Sequence, residues 1–289
     1  MSTVAPDTHI GHFAAGPDTI LSEELRTIVM VWRRELMRFV RTRARILTGI
    51  VQPLLFLFVL GYGMSTLVGT TGGFDFKKFV FPGIVAMSVV STAIFAAMSI
   101  VWDREFGFLR EMLIAPVSRT ALALGKTAGG ATIATMQGTI MLALAPLIGV
   151  HLTPLLVVQV IGIEVLMASA LTAFGVFIAS HVSKMESFQV VMSLLLLPML
   201  FLSGAMFPLR GLPGWLSALT RINPLTYAVD PLRHVVFAAQ SMPPAARERF
   251  PTGVELFGHT LGMGTEIGLV AAFAVGFLVL AIRAFGRAN

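Results

Sequence analysis

WDREFGFLREMLIAPVSRTALALGK, residues 102–126, is a densely charged, helix-like island between two long apolar stretches. A plain connector between membrane spans needs only a handful of residues of any kind. This one alternates acids, bases and aromatic residues before a Pro-Val-Ser-Arg stop, so its reading decides how the apolar sequence on either side is used.

The composition says what those stretches are. Of 289 residues, 56% are hydrophobic and 12% charged, and the mean hydropathy is +0.84. Soluble domains carry about 25% charged residues, so this chain reads as an all-α integral membrane protein. With no cysteine, a disulfide framework and a Cys-based metal site are excluded. The net charge of +6 falls mostly beside apolar spans, where basic residues set orientation; no nucleic acid partner is expected. The polar start, MSTVAPDTHIGHFAAGPDT, lacks the pattern of a secretory signal and reads as a disordered tail over 1–21.

A transmembrane helix needs about 20 mostly apolar residues. Six stretches qualify: 46–68, 79–101, 127–150, 154–180, 188–207 and 261–282. Together they make a six-span domain over 46–289, with segment 102–126 on one side and a loop, 208–260, on the other. His151-Leu152-Thr153 is the hairpin between the third and fourth spans. An even number of spans puts both termini on one side. Fourteen Lys and Arg residues lie on the side of the termini and of 102–126, against seven on the other. Both termini and the island are therefore expected in the cytoplasm.

Residues 22–45 precede the first span. Ser22 can cap a helix whose first turn carries Glu23 and Glu24. Leu25, Ile28, Val29, Trp32, Leu36, Phe39 and Val40 follow the helical period on one face, with Arg33, Arg34, Arg38 and Arg41 on the other, the pattern of an interfacial helix. In the long loop, Asn223-Pro224 and Asp230-Pro231 are expected to break the chain into short re-entrant helices. Trp215, Leu216, Leu219 and Tyr227 would anchor them at the membrane interface.

No motif supports an enzyme, and no catalytic residue is assigned. Leu124-Gly125-Lys126-Thr127 ends like a phosphate-binding loop, but Thr120 stands where that motif needs its first glycine, and no strand precedes it. Leu202-Ser203-Gly204-Ala205 resembles an ATPase signature but lies at membrane depth. His9, His12, His151, His181, His234 and His259 are scattered without metal-ligand spacing outside the tail, so no metal site is expected. Glu164, near the middle of the fourth span, reads either as a substrate or proton site or as a hydrogen-bonded carboxyl tying two spans together. Pro53, Pro82, Pro146 and Pro198 can kink their helices. Pro198, just before Ser203-Gly204, is the leading hinge candidate together with Gly204. Small-residue runs, Gly129-Gly130-Ala131 and Ala168-Ser169-Ala170, permit close helix packing.

Three stretches together carry a family resemblance. WDREFGFLREMLIAPVSR (102–119), FLSGAMFPLRGLPGWL (201–216) and NPLTYAVDPLR (223–233) resemble, in order and spacing, type 2 ABC-exporter permeases, and most closely the daunorubicin-resistance type of multidrug exporter. The resemblance spans residues 25–285. It implies a bacterial inner-membrane protein with six spans, an interfacial helix, a cytoplasmic coupling helix and short re-entrant helices before the last span. It also implies two such permeases, identical or homologous, working with two copies of a separate ATP-binding subunit. ATP and Mg would be bound there, leaving this chain without a cofactor.

On a helix from about 103 to 114, Phe106, Leu109 and Leu113 share one face and Arg104 and Glu111 project opposite. Such a helix suits a groove on a partner. The expected coupling residues are Arg104, Glu105, Phe106, Gly107, Phe108, Leu109, Arg110, Glu111 and Leu113. Methionine-rich spans would suit polyspecific export of hydrophobic or amphipathic, drug-like compounds. Export of a lipid or glycan, a proton-coupled secondary transporter and a membrane scaffold for an ATPase are the alternatives.

Overall fold

The computed structural model describes residues 17–68, 75–107, 118–207, 209, 212–240, 243–249, 252–256 and 259–287. Their long elements are all helices: α1 (Pro17–Arg41), α2 (Arg43–Val68), α3 (Phe76–Glu105), α4 (Arg119–Ala143), α5 (Pro154–His181), α6 (Met185–Leu202) and α10 (Met263–Arg287). Between the last two come the shorter α7 (Gly214–Ile222), α8 (Pro224–Ala238) and α9 (Pro244–Arg249). A two-residue β-hairpin, Glu255–Leu256 against His259–Thr260, precedes α10 and was not expected from the sequence.

Among the described residues, α2, α3, α5, α6 and α10 are long and apolar enough to cross a membrane. The third expected span is the exception. Its helix α4 is rich in Gly and Thr and carries Lys126, and it covers 119–143 instead of 127–150. It starts early because Ser118 caps it, Oγ accepting from the Ala121 amide at 3.0 Å. It stops early because the chain tightens into a 3-10 turn, Ala145–Ile148, closed by Gly149 at φ +76°. Pro146 therefore helps terminate a helix and kinks none. Pro53, Pro82 and Pro198 do lie inside helices.

The bundle has α3 at its centre, buried along most of its length against α2, α4, α5 and α8. By contrast α2, α6 and α10 turn most of their surface outward. One end of the bundle gathers the C-termini of α3 and α5 and the N-terminus of α4; Arg104 donates to the Ser180 carbonyl at 2.9 Å there. Arg119 donates to Phe285 O at 3.2 Å, bringing the C-terminal turns of α10 to the same end.

Helix α1 begins at Pro17, where a proline is tolerated in the first turn, and not at Ser22. Of its expected apolar face only Phe39 is buried, while Leu25, Val29 and Val40 are exposed; the buried stripe is Val31, Glu35 and Phe39, spaced by four. The buried stripe approaches α4 at two glycines. A Cβ on Gly125 would sit 2.7 Å from the Val31 Cβ, and one on Gly129 2.9 Å from the Glu35 Cβ. Only glycine at both positions permits this approach.

The long loop also differs from expectation in one respect. Asn223-Pro224 does separate α7 from α8: Asn223 Oδ1 accepts from the Leu225 amide at 3.1 Å and its Nδ2 donates to Met199 O at 2.7 Å. Asp230-Pro231 does not break the chain, and α8 runs through it. Pro231 forfeits one helix hydrogen bond, but α8 is buried on nearly all sides, against α3, α5, α6 and α10. Tyr227 is accordingly no interfacial anchor; it is buried, donating to Arg221 O at 2.6 Å. Helix α7 keeps Trp215, Leu219 and Ile222 exposed, as an amphipathic surface helix does.

Helix α6 ends in a turn pinned from two directions. Gly204 takes φ +75°, its carbonyl accepts from Arg233 Nη2, and the Arg233 guanidinium lies 4.5 Å above the Phe79 ring. The next residue, Ala205, sits directly on Gly83 of α3. The hinge expected at Pro198 and Gly204 thus adjoins a turn clamped onto the bundle core.

Candidate functional site

The strongest concentration of buried charge lies where α1, α3 and α4 meet. Lys126 is only 4% exposed. Its Nζ donates to Glu35 Oε1 at 2.6 Å, to Asp103 Oδ2 at 2.6 Å and to Ser99 Oγ at 3.0 Å. Three donor protons meet three acceptors, so the ammonium is fully satisfied. Asp103 also receives Arg34 at 2.9 Å and Arg38 at 3.3 Å. Trp32 adds a tie between α1 and α4, Nε1 donating to Thr132 Oγ1 at 3.1 Å.

Each member has a local reason to be there. Glu35 sits in the apolar stripe of α1, four residues from Val31 and Phe39. Ser99 and Asp103 are one turn apart on the last turns of α3. Lys126 follows Gly125, whose missing side chain lets α1 come close enough for Glu35 to reach it. The residues that look like the end of a phosphate-binding loop are in fact a helix-packing glycine and the lysine at the centre of this cluster.

Asp103 is immediately followed by the first expected coupling residues. Helix α3 ends at Glu105; Phe106 N and Gly107 N donate back to Trp102 O and Arg104 O, and Gly107 takes φ +81°. A single helix from 103 to 114 is therefore excluded, because the chain reverses into left-handed geometry at Gly107. Arg104 does not project freely. It binds the carbonyls of Ser180 and Val182 at 2.9 and 3.2 Å, and Glu105 Oε2 accepts from the Met185 amide at 3.0 Å. These two residues hold the turn between α5 and α6. Phe106 is 60% exposed and Trp102 47% exposed, their rings 5.1 Å apart. Phe108, Leu109, Arg110, Glu111 and Leu113 lie outside the described residues.

Glu164 is fully buried between α5 and α4. Thr139 Oγ1 donates to its Oε2 at 3.2 Å, Oε1 has no hydrogen-bond partner, and a Cβ on Gly138 would lie 2.8 Å from its carboxyl carbon. Thr139 also lines a groove of about 480 Å³ with Thr132, Thr135, Met136, Val165 and Ser169. A second cavity, about 250 Å³, is lined by Arg45, Thr48, Gln52, Ser91, Thr92 and Phe95 among others. Both mix hydroxyl and apolar surface.

Sequence reading missed a further cluster at the other end of the bundle. Asp230 and His234 of α8 come together with Glu266 in the first turn of α10. The Asp230 carboxylate, 3.0 Å from His234 Nδ1, raises the imidazole pKa above its ordinary value. The i, i+4 spacing of Asp230 and His234 was the available signal; Glu266, far along the chain, gave none.

A bundle of apolar helices, five of them long and apolar enough to cross a membrane, is the make-up of a multi-pass membrane protein. The model of the ABC-2 type transporter family matches residues 26–237, and the chain belongs to that family. It is similar to nodulation protein J of Rhizobium leguminosarum bv. viciae, 30% identical over 208 residues, covering 70% of this chain and 79% of the relative. Nodulation protein J of Rhizobium meliloti (strain 1021) is 28% identical over 214 residues, 73% of this chain and 81% of the relative. A transport permease named ycf38, of Cyanophora paradoxa, is 26% identical over 219 residues, 72% and 73% of the two chains. Family membership makes this a multi-pass membrane permease, a non-catalytic subunit whose transport is driven by ATP on a partner ATP-binding subunit.

Proposed function

We propose that the chain is the permease of an exporter for hydrophobic or amphipathic, drug-like compounds, assembled from two permeases and two ATP-binding subunits. Six helices, α2 to α6 and α10, span the membrane, α8 is re-entrant, and both termini lie in the cytoplasm. The charge balance of fourteen basic residues against seven supports that orientation. The outward faces of α2, α6 and α10 meet lipid or the second permease. Hydroxyl-lined apolar grooves along α4 and beside Arg45 suit amphipathic cargo.

The observation that carries the reading is the exposed Trp102–Phe106 pair, which brackets Asp103 and its buried ion pairs. An aromatic pair can fill a pocket on the ATP-binding subunit. Movement of the pair would pass through Asp103 to α1 and α4, and through Arg104 and Glu105 to the turn joining α5 and α6.

In the purified complex in nanodiscs, Trp102→Ala with Phe106→Ala should reduce compound-stimulated ATP hydrolysis at least tenfold. Both side chains are exposed for about half their surface or more, so the unfolding temperature should stay near wild type. Full stimulation in the double variant, measured over a panel of amphipathic dyes, would refute this docking site.

A further inference from the structure

The Asp230–His234–Glu266 cluster carries an inference independent of the exported compound. One carboxylate oxygen from each acid and one imidazole nitrogen lie within 4.8 Å of one another. Glu266 is 0% exposed. Its Oε1 accepts from the Val254 amide at 3.4 Å, while Oε2 is buried and takes no hydrogen bond from any N–H or hydroxyl, the carboxyl standing against that of Asp230. Asp230 Oδ2 accepts from the Gly253 amide at 2.9 Å and faces His234 Nδ1 at 3.0 Å. Two buried acids thus stand within 4.8 Å of one imidazole, which pairs with Asp230, and the neighbouring Arg233 guanidinium donates to Gly204 O and lies over the Phe79 ring. An unpartnered carboxylate oxygen in such a place is costly unless a positive charge meets it.

We propose that Asp230, His234 and Glu266 bind a divalent transition-metal ion, zinc in the first instance. Imidazole with two carboxylates suits zinc, whereas magnesium and calcium favour oxygen-only sets. Tetrahedral ligands at about 2.0–2.2 Å from zinc stand about 3.4 Å apart, a spacing small side-chain rotations reach from 4.8 Å. The backbone amides of Gly253 and Val254 orient the two carboxylates, as outer partners do in metal sites. His234, with its side chain 33% exposed, leaves one side open for the ion and a water ligand. Binding releases the proton that Nδ1 shares with Asp230. The ion joins α8, residues 253–254 and the first turn of α10, securing the buried helix α8 to the last long helix.

The test uses the full chain, tag removed and chelator-stripped, in lipid nanodiscs, with His9→Ala and His12→Ala as background. One zinc per chain should survive gel filtration, zinc but not magnesium should raise the unfolding temperature, and cobalt should give visible d–d absorption. Glu266→Gln and His234→Ala should each weaken zinc binding at least tenfold. The half-exposed His234 provides a variant that folds even if Glu266→Gln does not. A chain that retains no zinc, its two acids sharing a proton, would overturn the assignment. So would zinc stabilisation that persists unchanged in His234→Ala.

Discussion

Lys126→Met should destabilise the permease by about 3–5 kcal/mol, the usual cost of removing one partner from a buried ion pair. The substitution leaves Glu35 and Asp103 with acceptor oxygens directed at a methyl group in a site closed to water. Arg34 and Arg38 still hold Asp103, but Glu35 is left with only the 3.7 Å approach of Arg34. The measurement is thermal unfolding in detergent, paired with ATP hydrolysis in the complex, where α1 should come loose from α4 and compound stimulation should fall. The informative companion is the triple variant Glu35→Gln, Asp103→Asn, Lys126→Met. Removing all three charges should recover most of the stability, since apolar or neutral replacement of a whole buried cluster is often nearly neutral. Coupling should stay impaired in the triple variant if the charges transmit motion. Wild-type unfolding of Lys126→Met would show that the cluster contributes nothing.

Gly83→Val should be more damaging. A Cβ at Gly83 would fall 1.9 Å from the Ala205 carbonyl oxygen and 2.5 Å from its carbon. Those atoms are backbone, in a turn fixed by Gly204 and Arg233, so nothing can swing aside. Overpacking a core costs about 1–3 kcal/mol where side chains can shift; here the α6–α7 turn must leave α3, and loss of folded protein from the membrane fraction is expected. Gly162→Ala is the control. Nothing lies within 4 Å of a Cβ there, and alanine is favoured over glycine in a helix by about 1 kcal/mol. Normal yield of Gly83→Val would mean that this turn does not rest on α3.

Long apolar runs made α2, α3, α5, α6 and α10 readable in the sequence, because only a membrane or a core can take so much hydrophobic surface. The N-terminal helix was readable too, but its orientation was not. Glu35 is the residue that would have corrected it, an acid standing in the apolar stripe between Val31 and Phe39. Its meaning depended on Lys126 and Asp103, on two other helices. Lys126 was obscured by its neighbours, since Gly-Lys-Thr resembles a nucleotide motif while its local pattern says nothing of a partner 91 residues away. The end of α3 shows the opposite limit. Period alone extends the helix past Gly107, and only the left-handed backbone at that glycine stops it. At Asp230-Pro231 a local breaker was overridden by burial on nearly all sides of α8.

The placement of Lys126 bears on how the chain is made. Glu35, Ser99 and Asp103 all precede it in synthesis, so when the lysine leaves the ribosome its three acceptors have already left it. A helix rich in Gly and Thr with a lysine in its second turn is a poor candidate for entering lipid alone. The five-residue turn at 149–153, between the 3-10 turn and α5, lets it enter alongside the strongly apolar α5 as a single hairpin. Biogenesis of this permease is therefore expected to be ordered, the two earlier helices preparing a polar seat that a later and less hydrophobic one takes up.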